Sequence, residues 1–501
     1  MVDIQELKQK ASDLRKDDQY EEALPLYKTL WEDHRDQCNE WDGWGFAQSL
    51  RKLGRSAEAL DVCREVYKIR KDFSHNINLY AWCIYDLEIK KDTEDIKKQP
   101  DQFFDAAEAI LKMVEQDHYS PYTRTVFAVV DYLKDPPSYP ADKIITWLEK
   151  LNPSQLSPEH VVWEDGDTYP SEKETWAANM CKALFKTDHF NECIETGHQA
   201  LREITKFHYD NDIWVRRNIA RSKYALGEVE DAIQLYQKIM ERKRDWFIKK
   251  EMGECYFALE DFDNAWKMYV EAALEPGDLG FKWELFLRMG ELLKNQEKTE
   301  YTKDVISLAM KVRQDQDWDI PDELQAIAAD LKIQKLPKID LEKLYGELMK
   351  TWKKEKYSQL PEMTGWVSNF LPSGQDGFIS GDNGQDYYFK VNSFQGKSNE
   401  LKEDSRVEFH IVENPNPKQN DNAVNIRIKE LDESEAIQGM VKNFHNSYGF
   451  IEGDDGNDYY FEPESYNGNR DHLSRGLMVK FYVKKNNRPD QKDNALLISK
   501  I

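Results

Sequence analysis

The sequence predicts a multidomain α plus β chain: an α-solenoid of helical hairpins in roughly its first two thirds, followed by two small β-barrels. Three observations carry that expectation. A phrase centred on a small residue recurs up to about residue 335, and two segments after residue 361 align with one another in short aromatic and β-branched runs. The chain has 501 residues, too many for one core at roughly 100 to 200 residues per domain.

The recurring phrase is a turn residue, an aromatic or hydrophobic residue, then Glu, Asp or Asn directly before a small residue, with apolar positions four and seven residues on. It reads Gln19-Tyr20-Glu21-Glu22-Ala23 with Tyr27 and Leu30, and Arg55-Ser56-Ala57-Glu58-Ala59 with Cys63 and Val66. It returns as His189-Phe190-Asn191-Glu192-Cys193 with Gly197 and Ala200, as Glu228-Val229-Glu230-Asp231-Ala232 with Tyr236 and Ile239, and as Asp261-Phe262-Asp263-Asn264-Ala265 with Tyr269 and Ala272. From Ala23 to Ala59 is 36 residues, from Cys193 to Ala232 is 39 and from Ala232 to Ala265 is 33. A small residue at a fixed place lets paired helices approach closely. Preceding helices offer matching bulk, as in Trp176 with Met180, Trp214 with Ala220 and Tyr224, and Met289-Gly290 with Leu293.

This pattern resembles the tetratricopeptide repeat, a helix-turn-helix unit of about 34 residues. The resemblance covers about residues 1–335, strongly near 175–310 and weakly near 75–165, where Phe104-Asp105-Ala106-Ala107 keeps the phrase but Asp135-Pro136-Pro137 and the stretch from Pro153 to Pro170 interrupt it. Distorted or longer helices are expected there. The resemblance implies a concave groove that holds a protein or peptide partner. Trp and Tyr recur at core-like helical spacing and are read as packing between repeats. The scattered carboxylates form a solvated face. The six cysteines lie without any C-x-x-C pair in the helical part and are read as buried small hydrophobes rather than metal or redox groups.

Residues 336–361 form the join. After Pro337, the run Ile339-Asp340-Leu341-Glu342-Lys343-Leu344-Tyr345 with Leu348 and Trp352 spaces apolar residues along one helix face, which fits a helix capping the array. Pro361 and Gly365 then mark the change to short alternating runs.

The two aligned segments are residues 362–433 and 436–501. The first holds Gly365-Trp366-Val367-Ser368-Asn369-Phe370, Gly377-Phe378-Ile379, Asp386-Tyr387-Tyr388-Phe389 and Val407-Glu408-Phe409. The second holds Gly439-Met440-Val441-Lys442-Asn443-Phe444, Tyr448-Gly449-Phe450-Ile451, Asp458-Tyr459-Tyr460-Phe461 and Val479-Lys480-Phe481. Each resembles the cold-shock domain, which implies a five-stranded barrel of the OB type and a site for single-stranded RNA or DNA. Alternate strand residues share a face, so Tyr448 and Phe450 stand together with Gly449 between them, and Tyr460 on the next strand can complete a flat platform. Bases stack on such rings whatever their identity. Lys442, Lys484 and Lys485 are the candidate phosphate contacts. Phe378, Tyr388 and Lys390 are the weaker counterparts in the first barrel. Phe370, Phe389, Phe409, Phe444, Phe461 and Phe481 are read as barrel core.

Departures from the family pattern temper this. Asn369 and Asn443 stand where the family has Trp, Asp376 replaces the aromatic that leads G-F-I, and Lys390 and Glu462 replace its His. The second barrel is therefore expected to bind more tightly than the first.

The net charge of −24 argues against a protein that grips duplex DNA through a basic stripe. The charged, helix-patterned start lacks the apolar stretch of a signal peptide, and no run of about 18 apolar residues suggests a membrane span, so a cytoplasmic protein is expected. There is no G-x-x-x-x-G-K-[ST] loop, H-E-x-x-H pair or G-x-S-x-G elbow. Neither catalysis nor a cofactor or metal is expected. The resulting expectation is a non-enzymatic adaptor, with a protein in the groove of the array and a single strand on the barrels. Domain analogy adds a place in bacterial stress response or conflict defence. The alternative is a protein scaffold whose barrels have lost nucleic-acid binding.

Overall fold

A computed structural model describes residues 3–501 apart from 136, 138, 163–165, 334, 335, 337–339, 359, 415, 417 and 489. The chain forms two compact units, Met1–Ala265 and Trp266–Ile501.

The first unit is a stack of helical hairpins, including Ile4–Lys16 with Tyr20–Asp33, Glu40–Lys52 with Ser56–Ile69, Glu172–Lys186 with Phe190–Glu203, and Asn211–Ala225 with Val229–Met240. The second helix of each hairpin starts within the recurring phrase. A residue in the left-handed region turns the chain just before it: Asp18 (φ 58°), Gly54 (φ 76°), Asp188 (φ 59°) and Gly227 (φ 83°). The small markers Ala23, Ala59, Cys193 and Ala232 are all completely buried. Close approach explains Gly197, where a Cβ would lie 2.7 Å from Ile219 Cγ1.

The weak stretch departs from the hairpin pattern by shortening. Helix Ser74–Ile84 runs into a π-helical turn at Tyr85–Ile89, and Thr93–Lys98 and Ala141–Leu148 are brief. The expected distortion is present, and the run Ser74–Ile89, 11 α-helical residues followed by 5 π-helical ones, is also a lengthened one. Pro100 and Pro121 open new helices, a place where the missing N–H costs nothing. Pro136 lies outside the described residues. A two-stranded antiparallel ribbon, β1 (Val161–Val162) with β2 (Thr168–Tyr169), follows.

Core packing accounts for only some of the aromatics. Trp31 and Trp147 are buried, but Trp214 and Tyr224 each keep 38% exposure. Their helix buries Ile213, Val215, Ile219 and Ala220 instead, leaving Trp214 to stack on Phe247 at 5.8 Å and 20°.

In the second unit, hairpin Trp283–Asn295 with Thr299–Asp315 continues the pattern, followed by Asp322–Asp330 and Leu341–Tyr357. Pro337 and Ile339 lie outside the described residues. The expected apolar face of the last helix is present: Leu344, Leu348 and Trp352 are buried, and Trp352 stacks on Phe286 at 6.0 Å and 14°.

Two closed five-stranded barrels complete the fold. The first comprises β3 (Glu362–Phe370), β4 (Asp376–Gly381), β5 (Asp386–Lys390), β6 (Arg406–Val412) and β7 (Asn422–Ile428), ordered β3-β4-β5-β7-β6. The second comprises β8 (Ile437–Phe444), β9 (Gly449–Gly453), β10 (Asp458–Phe461), β11 (Met478–Lys484) and β12 (Asn494–Lys500), and its order β8-β9-β10-β12-β11 is the same. Period-two alternation sends Val367, Ile379, Phe389, Val407 and Phe409 into one core and Val441, Ile451, Phe461, Val479 and Phe481 into the other. Phe370 and Phe444 sit half-buried at the edges of these cores.

Candidate nucleic-acid interface

The second barrel brings Tyr448, Phe450 and Tyr460 together. Hairpin β9–β10 pairs Phe450 with Tyr460, and inward Ile451 and Phe461 force their neighbours outward. Gly449 is required between the two rings, since a Cβ there would lie 2.4 Å from Phe461. Tyr448 and Tyr460 lie nearly parallel, 6.2 Å apart at 16°. Phe450 stands edge-on to both, at 6.0 Å and 85° to Tyr448 and 5.9 Å and 73° to Tyr460. The surface is therefore a mixed-tilt cluster rather than a flat platform, because edge-to-face packing suits the ring quadrupoles. Tyr448 keeps 38% exposure.

A fourth ring, His445, extends the cluster. It lies 4.8 Å from Tyr448 at 37°, positioned because its backbone N–H donates to Tyr448 O at 2.7 Å. Sequence alternation missed it because the turn between β8 and β9 has no strand period. Its closeness to Tyr448 in sequence was the available signal.

The candidate cations of the second barrel, Lys442, Lys484 and Lys485, are each engaged with a carboxylate. Lys442 Nζ pairs with Asp458 at 3.0 Å, and this hydrogen bond raises the Lys442 pKa and holds the Asp458 carboxyl below its usual range. Lys485 pairs with Asp493 at 2.8 Å. Lys484 reaches out of its own barrel to Asp404 of the first, at 2.9 Å, with its side chain only 12% exposed. A phosphate would have to compete for each of them.

On the corresponding outward face of the first barrel two rings meet, Phe378 and Tyr388, at 5.9 Å and 69°. Asp376 occupies the place of Tyr448. Its carboxylate accepts from Ser373 Oγ at 2.6 Å and from the Tyr388 hydroxyl at 2.8 Å, bonds that lower its pKa. Lys390 is its cross-strand partner on β5.

Sequence reasoning also missed the junction between the barrels. Outward-facing Trp366 of β3 is 1% exposed, packed against Tyr482 and Leu496 of the second barrel, and its Nε1 donates to Val483 O at 3.0 Å. Arg406 lies 5.2 Å over the ring and forms a two-pronged ion pair with Asp382 at 2.6 and 2.8 Å. The corresponding cross-strand pair in the second barrel, Met440 with Met478, is exposed at 41% and 44%. A lone Trp where the aligned segment has Met was the signal for a contact.

Among the described residues no helix is long and apolar enough to cross a membrane, and no group of three or more His, Cys, Asp or Glu is placed to hold a metal ion.

Comparisons with known proteins agree with these geometries in part. Residues 437–499 match the family model of the 'Cold-shock' DNA-binding domain, and residues 213–350 match a domain of unknown function (DUF7017). No curated protein sequence matches. Among solved structures, CSD456 of Drosophila Unr is similar at 15% identity and TM-score 0.16, over 30% of this chain and 66% of that one. The chain thus spans just under two thirds of that structure. The TPR2AB domain of yeast Sti1, titled as a pHSP90 complex, gives 13% and 0.24 over 54% and 89%. The C-terminal part of a TPR repeat-containing protein from Cytophaga hutchinsonii gives 14% and 0.33 over 54% and 96%. Residues 437–499 are thus similar to the cold-shock domain, and the first barrel repeats the strand order of the second.

Proposed function

We propose that the protein is a non-enzymatic adaptor that binds single-stranded RNA or DNA on its barrels and a protein or peptide on its helical array. The carrying observation is the ring cluster Tyr448, Phe450, Tyr460 and His445, left uncovered on a barrel that matches the cold-shock model. Each stacked base contributes about 1 to 3 kcal/mol, and engaged cations leave stacking as the main source of affinity. The second barrel dominates because Asp376 removes one stacking ring from the first and puts a negative charge in its place. Lys442 and Lys485 serve phosphates after exchanging their carboxylate partners.

Protein binding draws on a different surface. In the first unit a cavity of about 250 Å³ is lined by Trp44, Gln48, Arg51, Lys52, His75 and Trp82, among others, a cationic and aromatic mouth in an acidic chain. The scaffold alternative draws on the same engaged lysines, which leave the barrels no free cationic stripe.

Fluorescence titration of labelled single strands against the whole protein decides between them. Tyr448→Ala and Tyr460→Ala should each weaken binding by about 1 to 3 kcal/mol, roughly fivefold to more than a hundredfold. Unchanged affinity would replace this reading with the scaffold one. In parallel, capture from native lysate that survives nuclease and is weakened by Trp44→Ala would support protein binding by the array, and capture insensitive to that substitution would move the partner elsewhere.

A further inference from the structure

The aromatic faces of the two barrels are joined by a loop that touches both. Trp366 locks the barrels together, and Lys484–Asp404 adds an ion pair across the same junction at 2.9 Å, so their orientation is set by packing rather than by the connecting segment alone. At that junction the base of the β11–β12 loop, where Lys485 pairs with Asp493 at 2.8 Å, meets both barrels. At one end Tyr460 N donates to Asp493 O at 2.9 Å, which fixes the loop to the ring cluster of the second barrel. At the other, Ser380 Oγ of the first barrel donates to Lys485 O at 3.2 Å, and Asn487 Nδ2 donates to the Asp386 carboxylate.

Ser380 and Asp386 are the cross-strand pair on β4 and β5 next to Phe378 and Tyr388 on the same outward face. The loop therefore meets the first barrel at the cross-strand pair next to its aromatic pair on that face. It carries Lys485, Arg488 and Lys492, all exposed, with Lys485 paired to Asp493 at 2.8 Å and Lys492 to Asp458 at 3.6 Å. Asp386, the carboxylate at the crossing, is already engaged by Ser380 Oγ at 2.8 Å and by Asn487. Rings on either side of a loop that carries three cations make one track for a polyanion.

We propose that the two barrels bind one continuous single strand as a single site, with the β11–β12 loop of the second barrel as the bridge between Tyr448/Tyr460 and Phe378/Tyr388. The proposal rests on the nucleic-acid reading above and adds that one chain takes one strand across both barrels. The weak face of the first barrel then gains its role from proximity: a strand already held on the second barrel meets Phe378 and Tyr388 at a high effective concentration, a gain that can reach about 10²-fold or more without new contacts.

The test uses the whole protein and labelled oligouridylates and oligothymidylates of about 4 to 30 nucleotides, a range bracketing one and two OB barrels at about 4 to 16 nucleotides each. A shared track gives a second rise in affinity, of at least about tenfold, once the strand outgrows the second barrel, with one strand per chain at every length. In the same series Phe378→Ala, and separately Arg488→Glu, should return the long strand to the affinity of the short one. Equal affinity for long and short strands, or two short strands bound per chain, would overturn the shared track while leaving the nucleic-acid reading standing. Absence of binding at every length would overturn both.

Discussion

Gly290 sits where a methyl group would lie 2.3 Å from Ile306 Cδ1 and 2.7 Å from its Cγ1. Ile306 is completely buried, so its side chain can give way only against packed neighbours. Gly290→Ala should therefore destabilise the fold by about 1 to 3 kcal/mol, the usual cost of overpacking, even though Ala is the better helix former. Urea unfolding checks this, and Ile306→Val in the same chain should recover part of the loss; an additive double variant would contradict the contact. The residue scale is where the sequence was most legible for packing. Ala23, Ala59, Cys193 and Ala232 were readable as contact points because a helix repeats its faces every 3.6 residues. It was less legible for surface rings: Trp214 has the spacing of a core residue yet stacks outside, since spacing fixes the face of a helix but not what covers it.

Strands and junctions obey a different rule. The alternation within β9 and β10 placed Tyr448, Phe450 and Tyr460 on one face in advance, whereas ring tilt, His445 and the partners of the lysines depend on neighbours that no period encodes. Trp366 is the plainest case, because its cover comes from a strand 117 residues later. The ion pair beneath it is testable by pH. Burial raises the pKa of Asp382, but hydrogen bonds from Arg406 and Thr364 outweigh that and leave it below its ordinary value. A carboxyl whose folded pKa is depressed contributes stability that is fully present above its unfolded pKa and is lost as pH falls through the folded one. Acidification should thus lower the melting temperature of the barrels, and Asp382→Asn should flatten that dependence. At neutral pH the same variant should cost about 1 to 2 kcal/mol, because it takes the two-pronged partner from Arg406, 8% exposed, but leaves it Glu435 at 3.1 Å.

For the whole molecule, the acidic balance and the localised cluster make a joint prediction about salt. Release of counterions from a single strand gives a slope of about −0.7 in log affinity against log salt for each phosphate neutralised. With Lys442 and Lys485 as the exchangeable contacts on the second barrel, short strands should show a slope of about −1.4. A basic groove contacting six or more phosphates would give about −4 or steeper. Titrations across a salt series measure it, and a steep slope would point to cations other than these. Fold class was legible at this scale because repeats and twin segments are visible as self-similarity. The brevity of the middle helices and the docking of the barrels were not, since both are decided by contacts between segments distant in the chain.

The cover on Trp366 also sets an order of events during synthesis. The first barrel has all its strands once Ile428 is made, yet the carbonyl that accepts from Trp366 belongs to Val483. At about 5 to 20 residues per second, a ribosome needs roughly 3 to 11 seconds to cross that interval. Through it the nascent first barrel carries on its outer wall an indole shielded by Arg406 but not yet by Tyr482 and Leu496, an adhesive patch that the growing chain itself must seal.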